Sequence, residues 1–599
     1  MCGICGELRF DGSTPDLSII KRMSEKIARR GPDHEAMISD GPLAFGHRRL
    51  AIIDLTPSAD QPMVDQDLRI SLVFNGTIYN YKELRAELIE MGYSFFSEGD
   101  TEVIIKAYHA WGEKCVERFF GMFAFALWDM RHATLFMARD RFGIKPLYYS
   151  LDGVHLRFAS NIQALLAAGG VDTSIDATAL HHHFTLHAVV PAPRTILNGV
   201  KKLAPATTMT LTAAGKISLR TYWNLDATRP EQTLSEQDWL KATRIVLGRA
   251  VERHRLASDV PVGVLLSGGL DSSLLVGLLA DHVEHLLTFS VGFEDIGDGA
   301  EAGDEFEYSD QVAEHFKTRH HKFLIPNSEV LKRLPEAVSN MAEPMVSQDA
   351  VAFYLLGERV SAEVKVVLSG QGADEVFGGY FWYPVMEQSS GSNLERFKSN
   401  YFDRDHAEYL EMVSPPYHVP DVTSVLVEND LNKAHADTFL DQVLRFDATT
   451  LVVDDPVKRV DNMTMAWGLE ARVPFLDHEL VELAAKMPPA LKLKEGGKFP
   501  LKALARGLIP DSVIDRPKGY FPVPALKYVR GDFLEFMRGI LQSEACIKRG
   551  IFQRAYVEKL LADPEAHLTR IQGSKLWHLA LLEFWLQLNV DSATHTIKQ

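Results

Sequence analysis

Residues 264–273 read Val-Leu-Leu-Ser-Gly-Gly-Leu-Asp-Ser-Ser, and they set the architecture of the larger part of the chain. The apolar run at residues 262–266 predicts a buried strand, and the apolar run at residues 274–279 predicts a helix directly after the turn. Adjacent glycines allow the backbone to approach a ligand closely and to turn several N–H groups toward it. Together with the serine hydroxyls and the N-terminus of the helix, these groups predict a cradle for phosphate. The chain contains no GxxxxGK[ST] sequence, so the cradle is not a P-loop.

Length and composition restrict the class of protein. The chain has 599 residues, which is too long for one hydrophobic core, so two or more domains are expected. The formal net charge of −17 argues against a nucleic-acid partner, which would need a basic surface. Four cysteines are too few for a disulfide framework and indicate a reducing compartment. Without a recognisable signal peptide or a run of about 18 apolar residues, we expect no membrane partner and a cytoplasmic location.

The second residue, Cys2, is a candidate nucleophile. Removal of Met1 would leave its thiol beside its own α-amine, whose reference pKa of about 7.7–8.0 lets it accept a proton near neutrality. A thiol with such a built-in base can attack a carbonyl without a separate catalytic base. Cys2 and Cys5 also form a CxxC pair, but a zinc or redox site would need a second pair or a thioredoxin-like context, and Cys115 and Cys546 stand alone.

The hydrophobic patterns divide the chain into two different halves. In the first half, apolar alternation predicts strands at residues 51–54, 71–74, 123–128 and 134–138, and helical periodicity predicts helices at residues 82–91 and 101–111. This is a mixed α/β pattern with antiparallel hairpins. A polar stretch at residues 224–236 predicts a linker, so the expected domains are residues 2–223 and 237–599.

In the second half, strands and helices alternate, which predicts a parallel sheet with crossover helices. A helix is expected at residues 239–254, a strand at 287–293 and a helix at 309–316, and the acidic, Gly-rich residues 294–310 are expected to form a solvated loop. Residues 366–380 repeat the design of the first turn, because an apolar strand again runs into a Gly-rich segment with acids. In a doubly wound sheet two such turns meet at the carboxyl ends of the strands. We therefore expect Asp271 and Asp374 to share one Mg²⁺ ion.

Two further patterns indicate a structural role and not a metal or cofactor site. The run His181-His182-His183, followed by His187, invites a metal site, but consecutive residues do not easily direct three imidazoles to one ion. We predict a polar helix face there. Residues 568–588 carry Trp and Leu at helical spacing, which predicts a buried helix near the C-terminus.

Several segments of the first half resemble the glutaminase domain of class II glutamine amidotransferases. They are RRGPD at residues 29–33, HRRLAIID at 47–54, FNGTIYN at 74–80, EGDTE at 98–102, GMFAFA at 121–126 and RDRFG at 139–143. The resemblance implies an N-terminal-nucleophile hydrolase fold, an αββα sandwich. It also implies that Cys2 attacks the glutamine side-chain amide, that Asn75 and Gly76 form the oxyanion hole, that Arg49 holds the glutamine carboxylate and that Asp100 anchors the α-ammonium group.

One position departs from this pattern. Many relatives have Glu where this chain has Thr77, so one carboxylate of the ammonium site is missing. We expect either weaker glutamine binding or compensation by a neighbouring residue, and Thr77→Glu is expected to change the KM for glutamine.

The second half resembles the asparagine synthetase family, whose fold is a doubly wound ATP-pyrophosphatase domain of the adenine nucleotide α-hydrolase type. The matching motifs are SGGLDSS at residues 267–273, LSGQGADEVFGGY at 368–380, VKRVD at 457–461, WGLEARVPFLD at 467–477, GK at 497–498 and RPKG at 516–519. The resemblance implies that Lys498 neutralises charge during adenylation and that ATP is the cofactor, with Mg²⁺ on Asp271 and Asp374. The implied ATP and pyrophosphate contacts are Leu265, Ser267, Gly268, Gly269, Asp271, Ser272, Ser273, Val291, Ser369 and Gly370.

The resemblance implies a glutamine-dependent amidation in which a carboxylate is activated as an acyl-adenylate and ammonia then displaces AMP. Aspartate is the acceptor typical of the family. Residues 343–353, which are expected beside the acceptor, look unlike aspartate-specific relatives. Together with residues 454–467, they make the chain resemble the N-acetylglutaminylglutamine amidotransferases, which amidate a dipeptide to make an osmoprotectant. We predict that the dipeptide is the acceptor, with aspartate as the alternative. Relatives often have an acid where this chain has Gln371, which cannot act as a base. A homodimer is one candidate assembly.

Two other classes remain as alternatives. A β-lactam-forming synthetase would use the same adenylation without ammonia, but such relatives lack the N-terminal cysteine that this chain has as Cys2. A non-catalytic binding or scaffold protein would tolerate decay of either set of motifs, and both sets are largely intact here.

Overall fold

The computed structural model describes residues 2–294, 304–516 and 523–592. Most of the segment predicted as an acidic loop, residues 294–310, lies outside the described residues, as do residues 517–519 of the last motif. In the described part of the chain, no helix is long and apolar enough to cross a bilayer.

Two antiparallel six-stranded sheets form the first half. Their strand orders are β10-β8-β9-β1-β3-β2 and β12-β11-β7-β6-β5-β4. The strands are β1 (Gly3–Arg9), β2 (His34–Asp40), β3 (Leu43–Arg49), β4 (Met63–Asp65), β5 (Ile70–Ile78), β6 (Gly121–Asp129), β7 (Thr134–Arg139), β8 (Tyr148–Leu151), β9 (His155–Ala159), β10 (Lys201–Lys202), β11 (Thr207–Thr212) and β12 (Ile217–Thr221). The associated helices are α1 (Leu17–Lys26), α2 (Tyr81–Glu90), α3 (Asp100–Trp111), α4 (Ile162–Ala168) and α5 (Ala177–Thr185).

The two sheets pack face to face because alternate residues of their strands are apolar and point inward. Phe45 on β3, Val73 on β5 and Met137 on β7 belong to one buried cluster between the sheets. Helices α1 and α4 pack together outside the first sheet, and α3 packs on β5 of the second. The predicted αββα sandwich is therefore confirmed.

The predicted strand at residues 51–54 is wrong, whereas strands do occur at the other three predicted places. Strand β3 ends at Arg49, and the following residues form an irregular segment. The guanidinium of Arg49 donates to the backbone carbonyls of Asp54 and Thr56, and Asp54 has a left-handed backbone with φ +48°. These contacts fold the apolar segment back on the end of the strand instead of extending it.

A five-stranded parallel sheet forms the centre of the second half. Its order is β15-β14-β13-β16-β17, and every neighbouring pair is parallel. The strands are β13 (Val262–Leu265), β14 (Leu287–Phe293), β15 (Arg319–Ile325), β16 (Val366–Leu368) and β17 (Glu470–Arg472). The chain proceeds from β13 in one direction and then returns to add β16 and β17 on the other side, so this is a doubly wound sheet.

Helices surround this sheet and build the C-terminal region. They are α6 (Glu236–Leu256), α7 (Leu270–Leu279), α8 (Phe306–Phe316), α9 (Asn327–Asn340), α10 (Asp349–Ser361), α11 (Ala373–Phe377), α12 (Trp382–Gln388), α13 (Asn393–Tyr401), α14 (His406–Met412), α15 (Val422–Leu431), α16 (Phe439–Phe446), α17 (Lys458–Met465), α18 (His478–Ala485), α19 (Pro489–Lys492), α20 (Phe499–Ala505), α21 (Asp511–Ile514), α22 (Pro524–Lys527), α23 (Gly531–Leu541), α24 (Glu544–Arg549), α25 (Arg554–Ala562) and α26 (Lys575–Leu586).

The switch in strand order determines where ligands can bind. Strands β13 and β16 are neighbours, and the turns after them carry residues 267–273 and 369–374. In open sheets of this kind, ligands bind outside the carboxyl ends of the strands at the point where the strand order reverses. The predicted meeting of the two Gly-rich turns is confirmed, since a Cβ added to Gly370 would lie 3.0 Å from the Cβ of Asp271.

The predicted linker and the C-terminal helix α26 both pack closely against the rest of the second half. In the polar stretch at residues 224–236, Ala227 forms a parallel bridge with Ala436, and Nη2 of Arg229 donates to both carboxylate oxygens of Asp441 at 2.7 Å. Near the C-terminus, Trp577 and Trp585 of α26 are buried, which confirms the predicted core helix.

The histidine run does not form a polar surface, so that prediction is wrong. His181, His182 and His183 on α5 are all buried. Both His181 and His182 contact the hydroxyl of Thr423 on α15, at 2.5 and 2.9 Å. The helix face looked polar because imidazoles are polar, but α15 covers it and supplies the hydrogen-bond partner.

Candidate active sites

A narrow pocket in the first half is lined by Cys2 and by three of the four predicted glutamine-binding residues, Arg49, Gly76 and Asp100, but not by Asn75. It lies at the ends of β3 and β5 and the start of α3. Its lining residues are Cys2, Arg49, Leu50, Ile52, Ile53, Ala59, Gln61, Phe74, Gly76, Thr77, Asp100, Thr101 and Glu470. The fold thus brings together residues from five separate sequence segments, including one from the second half.

Asn75 is hydrogen-bonded to Cys2, and Gly76 lines the same pocket as Cys2. The backbone N–H of Cys2 donates to Oδ1 of Asn75 at 3.2 Å. The Nδ2 of Asn75 is buried and has no hydrogen-bond partner in the described part of the chain. A Cβ at Gly76 would lie 2.2 Å from the carbonyl oxygen of Met122, so only glycine fits there. A buried donor without a partner is costly unless a ligand accepts from it.

Burial affects the reactivity of Cys2. It raises the pKa of the Cys2 thiol, so the thiol is neutral near pH 7 and requires a base to become a nucleophile. The carbonyl oxygen of Cys2 accepts from Nε of Arg30 at 3.2 Å. This contact fixes the backbone of the second residue.

Arg49 is held by the segment that follows it. Its Nη1 donates to Oδ1 of Asp60 at 2.6 Å and to the carbonyl oxygen of Thr56 at 3.0 Å. Arg49 therefore lines the pocket with a carboxylate partner already in place.

Asp100 is the first residue of α3 and is buried in the pocket. Burial raises the pKa of Asp100 to about 6. The N–H of Ile78, which donates to Oδ2 of Asp100 at 3.0 Å, acts in the opposite direction and lowers this pKa. The nearby carboxylate of Glu470 contributes to the raised pKa. Asp100 is therefore ionised at neutral pH but titrates closer to neutrality than an ordinary aspartate.

Glu470 is the pocket residue that sequence reasoning missed. It begins strand β17 of the second half, is fully buried, and its Oε1 accepts from the hydroxyl of Thr77 at 3.4 Å. The motif WGLEARVPFLD contains this glutamate, but its separation of 393 residues from Thr77 left no local signal.

The turn that is predicted to bind phosphate in the second half is held by its own serine side chains. The backbone N–H of Ser267 donates to Oγ of Ser272 at 3.2 Å, and the N–H of Gly269 donates to Oγ of Ser267 at 3.3 Å. Gly268 has φ +77°, and a Cβ there would lie 2.8 Å from the backbone nitrogen of Ser309. The turn is therefore possible only with glycine, and its serine hydroxyls line the entrance to α7.

A cavity of about 150 Å³ opens beside this turn. Of the predicted ATP contacts, Leu265, Ser267, Gly269, Asp271, Ser272, Val291, Ser369 and Gly370 line it. Gly268 and Ser273 do not line it, because Gly268 packs against Ser309 and Ser273 is fully buried in α7. Phe289 and Phe353 add apolar walls that sequence reasoning had not identified.

Lys498 connects the two Gly-rich turns. Its Nζ lies 2.6 Å from Oδ2 of Asp271 and 2.8 Å from Oδ2 of Asp374. Burial alone would lower the pKa of Lys498, but the two carboxylates outweigh it and raise the pKa above its ordinary value, so the ammonium stays charged. Lys498 also has a left-handed backbone with φ +55°, a strain that is typical of functional positions. Two carboxylates that face one cation are also the hard oxygen ligands that Mg²⁺ prefers.

A second cavity, of about 380 Å³, adjoins the first and shares Asp349, Gln371 and Asp374 with it. Residues 346–349, from the segment expected beside the acceptor, line it, and so do Asp455, Pro456 and Arg459 from residues 454–467. Its lining residues are His187, Val346, Ser347, Gln348, Asp349, Gln371, Asp374, Glu375, Tyr380, Trp382, Tyr401, Asp447, Leu451, Asp455, Pro456, Arg459, Lys527, Ile571, Gln572 and Gly573. Asp447 and Leu451 lie on a π-helical segment, Asp447–Leu451, whose wide turns are frequent at functional sites.

Buried ion pairs join the two halves between these sites. Asp461 on α17 binds Nη2 of Arg30 at 3.0 Å and Nζ of Lys145 at 2.9 Å. Lys202 on β10 binds both Glu343 at 3.0 Å and Asp454 at 2.7 Å. Each charge in these groups therefore has an opposite charge from the other half of the chain.

Comparison with known proteins agrees with this arrangement. Residues 242–587 match the family described as Asparagine synthase, and residues 1–223 match the family described as Glutamine amidotransferase domain. The chain is 33% identical to asparagine synthetase [glutamine-hydrolyzing] 1 of Bacillus subtilis (strain 168), over 99% of this chain and 97% of that protein. It is 32% identical to asparagine synthetase [glutamine-hydrolyzing] 3 of the same organism, over 94% of this chain and 93% of that protein.

The match covers both halves, and the residues that resemble the family motifs converge in two pockets. The chain therefore belongs to the asparagine synthetase family of glutamine-dependent, ATP-using carbon–nitrogen ligases, with a class II glutamine amidotransferase domain.

Proposed function

We propose that the first pocket hydrolyses glutamine and that Cys2 is its nucleophile. After removal of Met1, the α-amine of Cys2 takes the thiol proton, and the sulfur attacks the side-chain amide carbon. Asn75 Nδ2 and the Gly76 N–H donate to the oxyanion, and the proton then leaves with ammonia. Water hydrolyses the thioester to glutamate. The buried Nδ2 of Asn75, which has no partner among the described residues, supports this assignment.

In the same pocket, we propose that Arg49 binds the glutamine carboxylate and Asp100 binds the α-ammonium group. A planar guanidinium suits a carboxylate because it donates two parallel hydrogen bonds. The buried carboxylate of Asp100 suits an ammonium group because a cation compensates its burial.

In the second half, we propose that ATP binds with its phosphates against Ser267–Ser273 and its base against the end of β14. Asp271 and Asp374 would hold Mg²⁺, which when bound neutralises charge on the triphosphate. Lys498 stabilises the charge that develops when the acceptor carboxylate attacks the α-phosphorus. The products are an acyl-adenylate and pyrophosphate, and ammonia then displaces AMP to give the amide.

For the acceptor, we propose the terminal carboxylate of N-acetylglutaminylglutamine. The supporting observation is the cavity of about 380 Å³ beside the ATP cavity, which exceeds what aspartate requires. Its aromatic wall includes Tyr380 and Trp382, which stack at 4.2 Å, and it carries the amides of Gln348 and Gln572. Such a lining suits a ligand that consists mainly of amide groups and methylenes.

The acids of this cavity also favour an N-blocked acceptor. Aspartate would need a carboxylate for its ammonium group, but three of the five acidic side chains of the lining are paired with a cation, and burial raises the pKa of the other two, Glu375 and Asp447. The pairs are Asp349 and Asp455 with Arg459, Asp374 with Lys498, Glu375 with Tyr380, and Asp447 with Tyr383. An acetylated dipeptide has no ammonium group and needs no such partner.

Aspartate is the second candidate, because the relatives that match over nearly the whole chain are named asparagine synthetases. The deciding assay supplies glutamine, ATP and Mg²⁺ with each acceptor in turn and measures AMP and the mass of the amide. We expect AMP with the dipeptide. AMP formation with aspartate alone would overturn the dipeptide assignment.

We also propose a cytoplasmic location for this reaction. The supporting observation is that Cys2, Cys5, Cys115 and Cys546 are all buried free thiols. Fractionation of cells that express the chain, with detection by antibody, tests this directly.

A further inference from the structure

We propose that Glu470 binds the α-ammonium group of glutamine together with Asp100, in place of the carboxylate that is absent at Thr77. This inference rests on the glutaminase function proposed above. It assigns to a residue of the second half, on strand β17, a direct contact with the substrate of the first half.

The position of Glu470 carries the inference. Glu470 lines the same pocket as Cys2, Arg49 and Asp100, although it belongs to the parallel sheet of the second half. Its Oε1 accepts from the hydroxyl of Thr77 at 3.4 Å. The carboxylate of Glu470 therefore lies where the side chain of residue 77 ends, which is where a longer acidic side chain at residue 77 would project.

The length of the side chain at residue 77 makes this arrangement possible. Threonine is short and neutral, so it leaves the carboxylate of Glu470 facing the pocket and gives it a hydroxyl donor. Thr77 and Glu470 thus contact each other across the two halves of the chain.

The charge of Glu470 suits an ammonium ligand. Nε of Arg472 donates to Glu470, and Nη1 of Arg472 donates to the carbonyl oxygen of His254, so the arginine is fixed in place. Burial alone would raise the pKa of Glu470, but nearby positive groups, Arg472 foremost, lower it to about 2. Asp100 and Glu470 are therefore both carboxylates near pH 7. An ammonium group bound by both would relieve their mutual repulsion.

The assignment also gives the glutamine pocket a connection to the ATP cavity. Strand β17 pairs with β16, and the carbonyl oxygen of Arg472 accepts from the N–H of Ser369 at 2.8 Å. Ser369 lines the ATP cavity. Glu470, which would bind the glutamine ammonium group, is thus two residues along β17 from Arg472, whose carbonyl group binds the second Gly-rich turn.

The test compares two substrates of the full-length protein. Glutaramate is glutamine without its α-amino group, so its hydrolysis needs Cys2, Asn75 and Arg49 but no ammonium partner. For Glu470→Gln, we expect kcat/KM for glutamine to fall by about 10- to 100-fold, as for the loss of one charge-assisted hydrogen bond, mainly through KM. For glutaramate, we expect a change within about twofold.

The two-substrate design separates a binding role from a structural role. An equal loss with both substrates would assign Glu470 a structural role and overturn the proposal, as would no loss with either. If the unmodified protein does not hydrolyse glutamine at all, the proposed function fails instead. Thermal unfolding of each variant reports on folding.

A second set of variants tests compensation directly. Thr77→Glu introduced into Glu470→Gln returns a carboxylate to the site from the other half of the chain, and we expect it to recover most of the lost kcat/KM for glutamine. The matched control is Thr77→Gln in the same background, which has the same size without the charge. Equal recovery by both, or recovery by neither, would contradict an ammonium-binding role.

Discussion

At the residue scale, the amide of Asn75 gives a direct prediction. Its Oδ1 already accepts from the Cys2 N–H, so only Nδ2 is available to an oxyanion. Removal of one such donor costs about 2.7–4 kcal/mol of transition-state stabilisation. We therefore expect Asn75→Ala to lower kcat for glutamine hydrolysis by about 10²- to 10³-fold. The measurement is glutamate release.

The control for Asn75→Ala is amide formation with ammonium chloride in place of glutamine. This reaction bypasses the first pocket and should proceed at its normal rate in the variant. A parallel loss of the ammonia-dependent reaction would mean that Asn75 supports the fold of the whole chain and not the oxyanion.

The raised pKa of Asp100 predicts that glutamine hydrolysis depends on pH. Because burial raises the pKa of Asp100 to about 6, the carboxylate is lost as pH falls through 6, whereas an ordinary aspartate would stay ionised. The other titratable side chains that face it are Cys2, Tyr81 and Glu470; Cys2 and Tyr81 have raised pKa values and Glu470 a pKa of about 2, so none of these side chains titrates between pH 5 and 7. The α-amine of Cys2, with a reference pKa of about 7.7–8.0, gains a proton as pH falls, and this lowers the hydrolysis of any substrate that Cys2 attacks.

We therefore expect the ratio of kcat/KM for glutamine to kcat/KM for glutaramate to be about tenfold lower at pH 5 than at pH 7. Protonation of the α-amine affects both substrates and cancels in this ratio, whereas glutaramate has no ammonium group for Asp100 to bind. For Asp100→Asn, the ratio should be low and nearly independent of pH. A ratio that does not change with pH in the normal enzyme would place the titration elsewhere.

At the scale of single elements, the turn between β13 and α7 is the most constrained. Gly268 combines φ +77° with a Cβ position 2.8 Å from the backbone nitrogen of Ser309. Gly268→Ala must therefore strain the backbone by about 1–2 kcal/mol and also displace α8 from the turn. We expect the KM for ATP to rise about tenfold or more while glutamine hydrolysis continues. AMP formation at varied ATP concentration measures this effect.

The matched control is Gly507→Ala. Gly507 has nearly the same dihedral angle, φ +74°, but no atom lies within 4 Å of its added Cβ. The Gly507→Ala variant has the same backbone strain without the clash, so its KM for ATP should be normal. Equal defects in both variants would show that strain alone, and not the approach of α8, controls the turn.

Elements were predictable from sequence where local periodicity was strong. Strand β14 was predicted at its observed bounds, and helices α2, α3 and α6 were predicted within a few residues of theirs. The strand expected at residues 51–54 failed because the guanidinium of Arg49 binds carbonyl groups within that stretch. The alternation of apolar residues gives no information about a side chain that binds the backbone of the segment following it.

At the scale of the whole molecule, Asp461 joins the halves. Its carboxylate binds Arg30 and Lys145, and all three side chains are buried. Burial would raise the pKa of Asp461, but these two cations outweigh it and lower the pKa. Asp461→Asn leaves two buried cations without a counterion, so we expect a loss of about 3–5 kcal/mol in the free energy of unfolding. Thermal denaturation measures it.

Arg30 also donates to the carbonyl oxygen of Cys2, so Asp461→Asn should lower glutamine hydrolysis as well. The control is Glu558→Gln, which removes an exposed ion pair with Arg554 at 2.7 Å. Exposed pairs contribute little, so this variant should unfold at the normal temperature. Equal destabilisation by both variants would contradict the structural role of the buried group.

The sequence by itself determined the chemistry that resides in short, contiguous motifs. The thiol beside its α-amine at Cys2, the adjacent glycines and serines of residues 267–273, and the apolar strands before both Gly-rich turns are local features, because backbone geometry and hydrogen-bonding capacity are properties of neighbouring residues. From these, the nucleophile and the strand–turn–helix site for phosphate could be predicted, whereas the sandwich fold and the roles of Arg49, Asn75, Gly76, Asp100 and Lys498 were implied by the resemblance to the family.

Only the tertiary structure decided which distant charges meet. It placed Glu470 against Thr77, Lys498 between Asp271 and Asp374, and α15 over His181. These pairings depend on the crossover order of the parallel sheet and on how the sandwich docks against it. Pairwise electrostatics acts through space and not along the chain, so no motif in either half indicated that the glutamine pocket of the first half is completed by a carboxylate of the second.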